Sequence, residues 1–220
     1  MAIDIYWGSG SPYSWRVLLT LEYKRIPYRS HLLEFSKQEH KTPTMLRLNP
    51  RGRLPVLKDG EFVCYESLAI MAYLDRNYPE PPIFGKSAED SGNVMRLISE
   101  YQSYSEAHID KITRTIFTQR LEGSTEEVSA AVQAAAKESR MLESRLATAH
   151  WLVGNAFSAA DAVVFPGIQL LLRALERREA QDLRGRFVPL DANFPSLAAW
   201  VRRIENLPGY DRTYPPHWRG

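Results

Sequence analysis

The sequence predicts a small α/β domain joined to a larger all-helical one, and three observations carry that prediction. Up to about Tyr78, β-branched or aromatic runs alternate with stretches of helical spacing, in the order strand, helix, strand, helix, hairpin, helix. Pro79-Glu80-Pro81-Pro82 then interrupts the pattern, because this run cannot continue a helix. Everything after Ala88 has helical periodicity. The expected division is therefore a first domain at 1–79, a linker at 80–88 and a helical domain at 89–220.

Each element has a local reason. Ile3 to Trp7 is a strand, ended by Gly8-Ser9-Gly10. Pro12 to Lys24 is a helix whose apolar stripe runs through Trp15, Leu18, Leu19 and the Leu21-Glu22-Tyr23 turn. Tyr28 to Phe35 reads as a second strand. A short helix at Thr42 to Leu48 stops at Asn49-Pro50, since a residue before proline avoids the α region. Pro55 to Lys58 and Glu61 to Tyr65 form a hairpin about Asp59-Gly60, and Ser67 to Asn77 is an apolar helix. In the second half, Asn93 to Leu121 and Glu126 to Thr148 read as two long helices separated by Glu122-Gly123-Ser124. Phe157-Ser158-Ala159-Ala160-Asp161 is a helix start: Ser158 can accept from first-turn amides while Asp161 reaches back to the cap. An apolar helix follows from Ala162 to Ala174, and Ser196 to Ile204 is the last.

Composition excludes several classes. A net charge of +2, with bases interleaved among acids, does not argue for nucleic acid or a lipid surface as partner. The single cysteine, Cys64, excludes an intrachain disulfide and any cysteine-rich metal site. The start, MAIDIYWGSGSP, lacks the basic flank and long apolar stretch of a signal peptide, and no segment approaches the roughly 20 apolar residues of a membrane span. A cytoplasmic protein without metal is expected.

Three strand–helix junctions carry the chemistry. At Ser11-Pro12-Tyr13-Ser14, proline at the first helical turn loses no hydrogen bond, and the free amides there suit an anion. The Ser11 hydroxyl can donate to a bound thiolate or serve simply as the N-cap. At Arg53-Leu54-Pro55-Val56, proline before a strand suits an edge position or a cis bond, and a cis bond would leave the Leu54 backbone open to an extended peptide. At Tyr65-Glu66-Ser67, a hydroxyl and helix amides could take a carboxylate while Glu66 holds an ammonium, or the pair is only a cap with an acidic neighbour.

In combination these segments resemble the cytosolic glutathione transferases. Ser11-Pro12-Tyr13-Ser14-Trp15-Arg16-Val17 is similar to the first-helix motif of the family's serine-type classes (theta, zeta and many bacterial members). Asn49-Pro50-Arg51-Gly52-Arg53-Leu54-Pro55-Val56-Leu57 resembles its asparagine-proline to cis-proline segment. Glu66-Ser67-Leu68-Ala69-Ile70, continuing to Tyr73-Leu74, resembles its glutamate-serine helix, and Phe157 to Asp161 its C-terminal capping box.

The resemblance implies a thioredoxin-like first domain with a mixed four-stranded sheet, a helical bundle after it, and a detoxifying enzyme that delivers glutathione sulfur to a small hydrophobic electrophile. Ser11 would donate to the sulfur, Leu54 would pair with the cysteinyl backbone, and Glu66 with Ser67 would grip the γ-glutamyl end. His40, with Lys41 and Arg53 nearby, would contact the glycyl end. Tyr13, Tyr104, His108 and Phe117 are the candidates for the electrophile site. Tyr6 is the rival to Ser11, by analogy with the tyrosine-type classes. Cys64 does not stand where cysteine-type members carry theirs, which disfavours thiol–disulfide exchange. A homodimer is the family expectation. A non-catalytic binding or interaction module with the same fold is the alternative function.

Overall fold

The computed structural model describes residues 3–120 and 125–219. By packing, the chain divides into two units, Met1–Phe84 with Leu207–Gly220, and Gly85–Asn206. Residues 207–220 thus belong with the first unit, whereas the sequence expectation assigns everything from 89 onward to the helical domain.

The first unit holds a four-stranded sheet ordered β2-β1-β3-β4, from β1 (Ile3–Trp7), β2 (Tyr28–Leu32), β3 (Val56–Asp59) and β4 (Phe62–Tyr65). β1 is parallel to β2 and antiparallel to β3, and β3 is antiparallel to β4, so the sheet is mixed. The second strand is shorter than expected. Past Leu32 the chain turns, with the Glu34 amide donating to Glu39 Oε2 at 2.8 Å. Alternation on β1 buries Ile3, Ile5 and Trp7 on one face. The helices α1 (Pro12–Tyr23) and α3 (Ser67–Asn77) pack together and contribute Val17, Leu18, Leu21, Ile70, Met71 and Leu74 to the core. A second apolar cluster joins Tyr6, Val56 and Leu54 to Met45 and Leu48 of α2 (Pro43–Leu48).

The returning segment carries α10 (Tyr210–Thr213), which packs on α1. Trp15, 2% exposed, donates from Nε1 to Thr213 Oγ1 at 2.9 Å, and Arg212 pairs with Glu22. Gly209 makes the approach possible, having φ +85° and Glu22 Oε2 only 2.5 Å from where a Cβ would stand. Lys24 is buried against Asp75 at 2.6 Å, and Asp75 also accepts from the Ile83 amide at 2.9 Å, which ties the end of the proline-rich stretch to this unit.

The second unit is helical: α4 (Ala88–Tyr104), α5 (Glu106–Phe117), α6 (Thr125–Leu146), α7 (Ala159–Leu175), α8 (Leu190–Asn193) and α9 (Pro195–Glu205). The expected single helix from Asn93 to Leu121 is two. It begins earlier, where Ser87 and Asp90 form a capping box, and it breaks at Ser105. The Ser103-Tyr104-Ser105 run is a weak helix former, yet the apolar period continues across it through Tyr101, Ile109, Ile112 and Ile116. The expected end at Leu121 and break at Glu122-Gly123-Ser124 lie outside the described residues. α7 is the centre of this unit, buried along most of its length. Gly167 lets it approach α4, since a Cβ there would fall 1.8 Å from Tyr101 Oη.

Candidate active site

Strand register gathers the three junctions. Tyr6 near the end of β1 is paired with Val56 at the start of β3, and Val56 with Tyr65 at the end of β4. The segments Gly8 to Ser11, Leu54-Pro55 and Glu66-Ser67 therefore leave the same end of the sheet. This fold collects them although they are separated by about 55 residues of sequence.

Ser11 is the N-cap of α1, with extended backbone, and its Oγ accepts from the Ser14 amide at 3.3 Å. Pro12 follows in the first turn. The cap bond is long, and the hydroxyl proton is not used in it, so Ser11 can cap and donate together. The cap is what the structure shows, and its geometry leaves the hydroxyl proton available to a ligand.

Leu54–Pro55 is cis, and β3 is an interior strand, so of the two positions that suit this proline the structure has the cis one. The loop before it is organised by Asn49, 2% exposed, whose Nδ2 donates to the Arg53 carbonyl at 2.8 Å and whose Oδ1 accepts from the Arg51 amide at 3.0 Å. The Arg53 side chain is exposed and Leu54 is buried. His40 is half-buried, with its ring 5.1 Å from that of Phe35 and Nδ1 buried without a hydrogen-bond partner.

Glu66 precedes α3 with φ +70° and ψ +114°, a conformation that non-glycine residues seldom adopt, and its side chain is exposed. Ser67 is 6% exposed. Its Oγ accepts from Arg16 Nη1 at 3.5 Å, and the Arg16 guanidinium also lies over the Tyr13 ring at 4.8 Å. Arg16 is 1% exposed, and the sequence reading assigns it no role. A buried cation thus links α1 to the start of α3.

The starts of the long helices differ in kind. α4, α5, α6 and α7 each carry an acid in the first turn, and α9, which has none, receives the Glu143 carboxylate on the amides of Ser196 and Leu197 at 2.9 and 2.8 Å. α1 and α3 have no acid in their first turns. The positive end of α1 has no acid beside it, and that of α3 has only the exposed N-cap Glu66, so both suit an anion.

Comparison with known proteins decides the family. The model for the glutathione S-transferase N-terminal domain matches residues 10–77, and the model for the C-terminal domain matches residues 103–208. This chain belongs to the glutathione S-transferase family. Glutathione S-transferase A of Pleuronectes platessa is 28% identical over 98% of this chain and 92% of its own. Glutathione S-transferase F9 of Arabidopsis thaliana is also 28% identical, over 90% of each. A crystal structure of a glutathione S-transferase from the Antarctic clam Laternula elliptica superposes with a TM-score of 0.82 and 28% identity, covering 100% of this chain and 94% of that one. The two-part fold, thioredoxin-like then helical, is that of glutathione S-transferase structures.

Other residues singled out from the sequence of this transferase fall as follows. Tyr6 stacks on His31 with ring centroids 4.6 Å apart and belongs to the cluster around Met45. Burial, and after it the charge of Asp4, pushes the Tyr6 hydroxyl above the ordinary tyrosine range. Cys64 is half-buried rather than fully buried, and burial pushes its thiol up. Tyr13 is exposed, as are Tyr104 and Phe117, while His108 is half-buried. Tyr104 borders a cavity of about 360 Å³ in the helical unit, with Leu97, Met141 and Arg145, and Phe117 lies under the Arg177 guanidinium at 5.7 Å. Among the described residues no cluster of three metal-ligating side chains occurs, and no helix is long and apolar enough to cross a membrane.

Proposed function

We propose that this glutathione transferase is of the serine type, binding glutathione as co-substrate at the sheet end described above and ionising its thiol against Ser11. The observation that carries the reading is the start of α1, which among the described long helices has no acid at its cap or in its first turn and receives no carboxylate from elsewhere in the chain, set beside the start of α3, whose only acid is the exposed N-cap Glu66. A thiolate at α1 and the γ-glutamyl carboxylate at α3 are the two anions that match them.

In this reading the Ser11 hydroxyl donates to the sulfur, and the α1 amides add their partial positive charge. A thiol with pKa near 8.5 is about 3% ionised at pH 7, and one lowered to about 6.5 is roughly 75% ionised. That is a gain of about 25-fold in nucleophile, offset in part by lower intrinsic reactivity of the weaker base. Leu54 offers its backbone to the cysteinyl unit. Ser67, oriented by Arg16, takes the γ-glutamyl carboxylate and Glu66 the ammonium. His40 donates from Nε2 to the glycyl carboxylate, with Lys41 and Arg53 beside it in sequence. The sulfur then attacks a small hydrophobic electrophile, by conjugation, dehalogenation or ether cleavage, with Tyr13, Tyr104, His108 and Phe117 as candidate contacts. The reading includes a cytoplasmic homodimer, as is usual for the family.

The test is retention on immobilised glutathione together with a chloronitrobenzene assay on wild type, Ser11→Ala and Tyr6→Phe. Retention with activity lost only in Ser11→Ala supports the reading. Loss in Tyr6→Phe with Ser11→Ala intact overturns the serine assignment. Retention without turnover of any electrophile would leave a binding module.

A further inference from the structure

The turn that presents Ser11 is closed by weak bonds of its own. The Ser11 amide donates to the Gly8 carbonyl at 3.3 Å, and the Gly8 amide donates to Ser14 Oγ at 3.2 Å. Gly10, between them, has φ +77°, which gives this turn a backbone shape few other residues would hold. A hydroxyl used as a donor needs better placement than such a turn supplies, because hydrogen bonds weaken steeply with angle and a sub-ångström error is felt in rate.

The far end of the chain supplies the missing constraint. His217 Nδ1 is 2.5 Å from Ser9 Oγ. The same ring closes over Gly10, where a built Cβ would lie 2.8 Å from Cε1 and 3.3 Å from Nε2. His217 is itself held by its neighbours. The Trp218 and Tyr214 rings stand edge-on to buried Trp15 at 5.4 and 5.9 Å, and Thr213 accepts from Trp15 Nε1. Arg212 pairs with Glu22 further along α1. The terminal segment is thus fastened to the first helix along its length, and its His217 contact falls on Ser9, two residues before Ser11.

We propose that His217 is a positioning residue for the Ser11 hydroxyl: by hydrogen-bonding Ser9 and closing over Gly10, it fixes the turn from which Ser11 reaches the sulfur. The inference rests on the reading of Ser11 as the thiolate donor. His217 does not touch glutathione; it acts through Ser9 and Gly10. Aromatic packing by Trp218 would hold the segment down without it, and the bond from the exposed His217 ring to Ser9 adds a polar constraint to the two that the turn makes by itself. Gly10 is glycine for two reasons at once, its φ and the ring above it.

The experiment is an ultraviolet titration of the thiolate in the glutathione complex of the full chain, with steady-state kinetics, for wild type, His217→Ala, His217→Asn, Ser9→Ala and Ser11→Ala. Loss of one neutral hydrogen bond corresponds to a factor of about 3–10, so His217→Ala and Ser9→Ala should each lower the thiolate-to-thiol ratio and kcat at pH 6.5 by about that factor. KM for glutathione should stay within about two-fold, since no contact to it is removed. Because the two residues act through one bond, a double variant carrying His217→Ala and Ser9→Ala, measured in the same way, should be no worse than either single one. His217→Asn, which keeps a polar partner for Ser9, should recover most of the loss. If His217→Ala and Ser9→Ala titrate like wild type while Ser11→Ala is shifted, the clamp is refuted and the serine reading stands. If Ser11→Ala itself titrates like wild type, both are refuted.

Discussion

Ser11 and Ser158 occupy the same position, the N-cap of a helix, and the chain uses them in opposite ways. Ser158 is 6% exposed and closes its helix with the chain's own carboxylate. Asp161 is fully buried and accepts four hydrogen bonds, from the Ser158 amide at 2.9 Å, the Ser158 hydroxyl at 2.7 Å, the Leu152 amide at 3.0 Å and Trp200 Nε1 at 2.7 Å. Burial pushes the Asp161 carboxyl up, and the donated bonds work against that shift. Ser11 is half-exposed, makes one long cap bond, and has no acid in the turn that follows. One start is a finished structural joint. The other carries no acid of its own, which is the feature that the proposed binding of a thiolate uses.

The sharpest way to break this contrast is to empty the finished site. Asp161→Ala leaves four buried donors unpaired and should cost at least about 4 kcal/mol, read as a fall in urea midpoint, because each buried unsatisfied group costs about 1–3 kcal/mol. Ser11→Ala should cost no more than about 1 kcal/mol by the same measurement, while the bound thiolate at pH 7 falls by up to roughly 25-fold, activity falls by less because the more basic thiolate is the better nucleophile, and the deficit closes as pH rises past the free-thiol value. The sign follows from the chemistry: raising the thiol pKa removes thiolate below that pKa and leaves it untouched above.

Completing the open site tests the contrast from the other side. Tyr13→Glu puts an acid into the first turn of α1 and should stabilise the protein by about 0.3–1 kcal/mol relative to Tyr13→Gln. Relative to that same control it should weaken glutathione binding and raise the bound thiol's pKa. Gains in both stability and affinity would mean that the open helix end is not the anion site. In the helical unit, Glu143→Gln should cost about 1 kcal/mol with glutathione affinity unchanged, since that carboxylate caps α9.

The smallest effect belongs to a carboxylate at neither kind of helix start. Hydrogen bonds from Arg29 first, and from His31, hold Asp4 down to about 2 against an ordinary 3.8. Its contribution is present above that ordinary value and is lost as pH falls through about 2. The urea midpoint should therefore drop over that acid window in wild type and drop less in Asp4→Asn.

Much of this was legible in the residues because the signals are local. The bounds of α3, Ser67–Asn77, and the start of α7 follow from apolar spacing and a serine–aspartate pair three residues apart. The same pair at Ser87 and Asp90 was as readable in principle but lacks an apolar run beside it, so α4 was expected to start later. The break at Ser105 left no mark because the buried stripe runs through it. Arg16 looks like a solvated charge within an apolar helix, and only the fold brings Ser67 and Tyr13 to it. The positive φ of Glu66 has no signature in a glutamate. Above all, nothing in the sequence near His217 points to Ser9, which is 208 residues away. Contacts made by topology rather than by period have no local pattern to read.

The central claim is that the unneutralised start of α1, with the Ser11 hydroxyl, keeps a bound sulfur negatively charged near neutral pH. Ultraviolet titration of glutathione bound to the wild-type protein measures this without any electrophile. The account predicts ionisation centred near pH 6.5, moving toward the free-thiol value of about 8.5 in Ser11→Ala. A bound thiol that titrates in the wild-type complex as it does free in solution would contradict it.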